Sequence, residues 1–190
     1  MLQVWLCNGE SAFEAHLQIK GLKSRDKVMI FGVISEQGPR VFSIVPARTK
    51  INQDTYMQMI RDLVAPSLQR WKNFQQDPSK PSKGPEPIFQ QDGASSHTAH
   101  QTKDFFGKLG IQLLDGWPAL SPDLNLIENI WGLMKGAFDK DPPKTIQELR
   151  DRVEQVWHDV CTPQLCQALY AGYKNRLQQV VASGGARIAK

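Results

Sequence analysis

The order in which hydrophobic periodicity changes along the chain is the tightest constraint on its fold. Three short runs rich in Val, Ile, Phe and Trp come first, at residues 2–7, 27–35 and 40–45, and runs of that length and content predict strands. Glu36-Gln37-Gly38-Pro39, between the last two, predicts a hairpin turn. After Asn52, a residue type suited to an N-cap, Tyr56, Met59, Ile60, Leu63 and Val64 recur at helical spacing, and Pro66 is expected to end or bend that helix. Residues 87–91 and 111–114 read as two further strands, separated by a helix over 98–109 that Gly110 stops. From Asp123 onward only helical periodicity remains. Ile127, Ile130, Trp131 and Met134 share one face, Thr145-Ile146-Gln147-Glu148 has the form of a capping box, and Thr162-Pro163 that of a cap followed by proline. This order predicts an α/β layered domain with a mixed sheet flanked by helices.

A chain of 190 residues suits one domain, 1–190, with a sizeable core. Residues 72–87 hold four prolines, one glycine and three lysines with little to bury, so they predict a surface loop inside that domain. The longest apolar run, residues 28–34, is far short of the roughly 20 residues that span a bilayer. The first residues lack the pattern of a signal peptide, which points to an intracellular protein. Cys7, Cys161 and Cys166 contain no Cys-x-x-Cys pair, which argues against a disulfide framework or a thiolate zinc site. A net charge of +4 favours a polyanionic partner, though weakly.

Two carboxylates stand where chemistry would be sought. Asp92 ends a predicted strand within Ile88-Phe89-Gln90-Gln91-Asp92-Gly93-Ala94-Ser95-Ser96-His97, and open α/β sheets gather active groups at the carboxyl ends of their strands. Glu128 falls in the first turns of a helix opened by Asp123, where the helix dipole favours a carboxylate. Singly, each has an ordinary explanation, since Asp-Gly is a turn dipeptide and an acid suits any helix start. Their context is less ordinary, because Glu128 lies within Trp117-Pro118-Ala119-Leu120-Ser121-Pro122-Asp123-Leu124-Asn125-Leu126-Ile127-Glu128-Asn129-Ile130-Trp131.

That string resembles the C-terminal signature of DDE transposases of the Tc/mariner superfamily, and the string around Asp92 and His97 resembles the same family's second-aspartate motif. The 35 residues between Asp92 and Glu128 suit that family. Residues 28–35, 50–56 and 172–185 are similar to further parts of it, so the resemblance covers nearly the whole chain. It implies a ribonuclease H-like mixed sheet with extra C-terminal helices, and a catalytic domain without the family's paired helix-turn-helix domains. It also implies phosphoryl transfer on DNA with two Mg²⁺ or Mn²⁺ ions about 3.5 to 4 Å apart, held by Asp92, Glu128 and a first-strand aspartate. Aligning Glu10-Ser11-Ala12-Phe13 with the family's first motif puts Gly9 where that aspartate belongs. Asn8 is neutral, Glu10 is one residue out of phase along the strand, and Asp26 is remote. The site is therefore expected to be incomplete and catalysis impaired.

By the same resemblance the partners are DNA and a second copy in a homodimer, with no membrane and no small-molecule substrate. The location is nuclear in a eukaryote and otherwise intracellular. The stretch 13–27 is shorter than in full transposases, which puts the paired assembly in question. His97 reads as a histidine closing the turn after Asp92, while His16, His100 and His158 show no ligand spacing. Trp131, Trp157 and Tyr170 read as core. Lys135, Lys140, Lys174, Arg176 and Arg187 are phosphate contacts or a solvated surface. Two further readings stand beside the transposase: a non-catalytic DNA- or protein-binding module on the same fold, and a nuclease using other acids.

Overall fold

The computed structural model describes residues 4–8, 28–77, 79, 86–118 and 121–188, with the backbone path alone for 4–8, 75 and 76. Five strands, β1 (Val4–Asn8), β2 (Ile30–Ser35), β3 (Gly38–Ile44), β4 (Ile88–Gln90) and β5 (Gln112–Leu113), form one sheet in the order β3-β2-β1-β4-β5. β1, β2 and β3 pair antiparallel, and β4 and β5 continue the sheet parallel to β1. This is the mixed sheet expected from the sequence. The hairpin turn is only Glu36-Gln37, and Gly38 already belongs to β3. Its φ of +119°, with Pro163 Cγ 3.2 Å from where a Cβ would stand, accounts for glycine at that turn.

Alternation along β2 separates two cores. Phe31 and Val33 pack with Tyr56, Ile60, Val64, Phe89 and Phe106 on one face, while Ile30 and Ile34 pack with Ile127, Ile130, Met134, Val153 and Trp157 on the other. The first face is covered by α1 (Gln53–Met59), α2 (Ala65–Gln76), the short turn α3 (Ser95–Thr98) and α4 (His100–Lys108). The second is covered by α5 (Ile127–Lys140), α6 (Ile146–Val160) and α7 (Pro163–Ala182). The result is an α/β domain of three layers.

Three local expectations are corrected. Pro66 does not end its helix: Ile60–Val64 form a π-helical turn that leads directly into α2, with proline in the first turn of that helix. The wider turn accommodates a residue without an N–H, so the helical path runs on to Gln76. Residues 72–76 are therefore helix rather than loop, and of 78–85 only Ser79 is described. Asp123 does not open α5, which starts at Ile127 after a turn over 122–124. The other capping expectations hold. Asn52 accepts from the Thr55 N–H, Thr162 from the Leu165 N–H and Thr145 from the Glu148 N–H.

The Glu148 carboxylate reaches back to the Lys144 N–H at 2.8 Å, one residue before the expected box partner. That bond holds the carboxyl below its ordinary pKa, so its stabilisation is present at neutral pH and lost as the pH falls through the lowered value. Thr145→Ala is expected to cost about 1 kcal/mol of stability, read as a lower urea midpoint with unchanged slope.

Candidate active site

Asp92 lies two residues beyond the end of β4, where the backbone leaves the sheet. Its Oδ1 accepts the Ala94 N–H at 3.1 Å and lies 2.7 Å from His97 Nδ1. A carboxylate can only accept, so Nδ1 carries the hydrogen and donates. The turn that brings His97 back is held by the Ala94 carbonyl, which accepts the N–H groups of His97 and Thr98 at 2.9 and 3.0 Å. The His97 side chain is fully buried, whereas that of Asp92 keeps 15% exposure at the sheet edge. Tyr56, from α1, stacks on the imidazole with ring centres 3.9 Å apart. Its hydroxyl donates to Gln91 Oε1 at 2.7 Å, and Gln91 Nε2 donates to the His97 carbonyl at 2.9 Å. His97 thus closes the turn, as expected from the sequence. The contributions of Tyr56 and Gln91 escaped sequence reading, because periodicity marks Tyr56 only as an apolar position on a helix.

Glu128 is the second residue of α5, at the positive end of the helix dipole. The turn before it is tied down from the far end of the chain. Arg176, on α7, donates from one guanidinium nitrogen to the Asp123 carbonyl at 3.2 Å and to Asn129 Oδ1 at 3.0 Å. The Ile188 N–H bonds to Asp123 Oδ2 at 3.1 Å. Arg176 is therefore engaged in bracing this turn rather than offered to a phosphate. His100 and His158 are exposed, and Trp157 is core.

The sheet relates the two acids. Leu6 pairs with Gln90 in the parallel β1–β4 ladder, so counting on two residues puts Asn8 level with Asp92. Asn8 pairs with Gly32 on the other side, and Trp131 packs on Gly32, its ring 2.7 Å from where a Cβ would be. Trp131 lies one helical turn after Glu128. Asp92 therefore follows the strand on one side of β1, while α5, which carries Glu128, packs over β2 on its other side. Gly9, Glu10 and Asp26 lie outside the described residues. Among the described residues no three His, Cys, Asp or Glu side chains form a metal-holding group. Asp92 and Glu128 nonetheless offer the carboxylate oxygens that hard divalent cations prefer, and Asp92 is oriented and partly exposed.

Residues 5–150 match the family described as DDE superfamily endonuclease. The chain belongs to that family. It is 30% identical over 163 residues to the Tc3 transposase of Caenorhabditis elegans, an alignment covering 83% of this chain and 44% of that protein. The chain thus spans less than half the length of this relative. In fold it is similar to the Mos1 transposase catalytic domain solved with raltegravir and Mn, with a TM-score of 0.73 and 20% identity over 97% of this chain and 84% of that one. It is also similar to the Mos1 strand transfer complex, with a TM-score of 0.74 and 18% identity over 98% of this chain and 56% of that one. The ribonuclease H-like architecture that the resemblance implies is the fold these Mos1 structures share with the chain.

Proposed function

We propose that this domain carries out divalent-metal-dependent DNA cleavage and strand transfer, with Asp92 and Glu128 as its ion-holding carboxylates and with catalysis impaired at the first-acid position, Gly9. The observation that carries the reading is Asp92 itself: an acid just beyond the end of an interior parallel strand, fixed by two hydrogen bonds on one oxygen and still partly exposed. Similarity to the Tc3 transposase and to the Mos1 strand transfer complex supports DNA as substrate; a homodimer as the working assembly and a nuclear location in a eukaryote belong to the proposal without that support.

In this reading Asp92 and Glu128 supply negative charge and oxygen ligands at the sheet edge, and the start of α5 fixes the Glu128 backbone. Bound there, Mg²⁺ or Mn²⁺ would activate the attacking hydroxyl and stabilise the leaving oxygen. Replacing the first acid by glycine removes a ligand and a charge, which favours the non-catalytic DNA-binding module as second reading.

Incubation with supercoiled plasmid and Mn²⁺ tests the proposal. The expected result is slow nicking that chelation stops and Asp92→Asn abolishes. Nicking that survives Asp92→Asn would assign the chemistry to other acids, and plasmid binding with no nicking would leave the non-catalytic reading.

A further inference from the structure

We propose that His97 is a positioning residue for Asp92, held by Tyr56 and Gln91 so that its Nδ1–H keeps the carboxylate in its ion-holding orientation. The inference rests on the reading of Asp92 as an ion-holding carboxylate. The geometry is one-sided: His97 spends Nδ1 on Asp92 Oδ1 at 2.7 Å, while its Nε2 is buried and meets no hydrogen-bonding partner among the described residues. A buried polar atom left unpaired costs stability, and an apolar side chain of similar volume would avoid that cost. Histidine at this position is therefore poorly explained by packing alone.

The surroundings fix the ring in two ways. Tyr56 stacks on the imidazole and fixes its plane, at 3.9 Å between ring centres. Gln91 receives the Tyr56 hydroxyl and donates to the His97 carbonyl, which fixes the backbone from which the ring projects. Gln91 is also the residue immediately before Asp92, so one short segment carries both the acid and the clamp on its partner. The Ala94 N–H, bonded to the same Oδ1, reports whether Asp92 holds this orientation. Groups that orient a metal-binding carboxylate or histidine in this way typically change metal affinity by about 10- to 100-fold when removed.

The test compares His97→Leu with His97→Asn, two side chains of nearly equal shape. Asn keeps an N–H near the place of Nδ1, and Leu has none. Two quantities are read for each variant and the native chain: Mn²⁺ affinity by calorimetry, and hydrogen exchange of the Ala94 amide by NMR. Thermal melting accompanies both.

The expected result is that His97→Leu melts no lower than His97→Asn, yet weakens Mn²⁺ binding by about 10-fold or more and exposes the Ala94 amide to exchange. His97→Asn should retain most of both. A purely structural histidine would give the reverse, with affinity and exchange following melting temperature. If His97→Leu leaves Mn²⁺ affinity and Ala94 protection unchanged, the proposal is overturned. If the native chain binds no Mn²⁺, the ion-holding reading of Asp92 fails, and the Ala94 amide alone decides whether His97 positions the carboxylate. Should His97→Leu not fold, His97→Gln, whose amide reaches the Nε2 position instead, gives the same contrast with His97→Asn.

Discussion

Gly32→Val is expected to destabilise the domain by about 3 kcal/mol, the upper end of what overpacking a core commonly costs. A Cβ at position 32 would stand 2.7 Å from Trp131 Cη2 and 3.1 Å from both Trp131 Cζ2 and Trp157 Cη2. Trp157 has little room to yield, and Trp131, although partly exposed, is packed against it. Trp157 is stacked on Phe42 at 4.8 Å and packed against Trp131 at 5.4 Å, and it is almost wholly buried. Relief requires shifting the Trp131 ring or α5 itself, and α5 carries Glu128 one turn before Trp131. The same substitution should therefore also weaken divalent-ion binding. Gly107→Ala is the control, because nothing lies within 4 Å of its would-be Cβ and it sits inside α4, where alanine is preferred to glycine by about 1 kcal/mol. Urea unfolding of both variants measures the contrast, and equal midpoints for Gly32→Val and the native chain would remove the steric argument.

What was legible in the sequence was what local chemistry determines. The runs of Val, Ile and Phe marked β2 and β3 to within a few residues, and side-chain caps at Asn52, Thr145 and Thr162 marked three helix starts. Asp92 and Glu128 were singled out because long strings surround them. Positions whose meaning depends on a partner far along the chain were not legible. Asp123 looked like a helix opener because Asp often caps, but its carboxylate accepts from Ile188, 65 residues away, and its carbonyl from Arg176. Arg176 looked like a surface charge for the same reason. Of the two outcomes expected at Pro66, an end or a bend, the end does not occur, because a π-turn immediately before it lets the helix continue. Gly32 carried no sequence signal at all, since what excludes a side chain there is two indoles from α5 and α6.

Gly9→Asp is expected to produce the largest functional change. The sequence motif leads us to propose Gly9 as the position of the family's first aspartate, and a two-metal site lacking that acid would be short of a ligand and a negative charge. The described part of β1 ends at Asn8, whose register puts it level with Asp92 and opposite Gly32. Gly9 itself lies outside the described residues, so this expectation rests on the motif Glu10-Ser11-Ala12-Phe13. Asn8→Asp is therefore the comparison that separates the motif from the register, and the motif predicts that it does not substitute for Gly9→Asp. A larger gain with Asn8→Asp would instead assign the first-acid position to residue 8.

Calorimetric titration of Mn²⁺ into the native chain, Gly9→Asp and Gly9→Asp combined with Asp92→Asn is the most direct test that Asp92 and Glu128 are the remaining acids of a DDE site. The expected result is weak binding by the native chain, at least about 10-fold tighter binding by Gly9→Asp, and loss of that gain when Asp92→Asn is added. Tight binding of two ions by the native chain, with Gly9→Asp and Asp92→Asn both without effect, would contradict it.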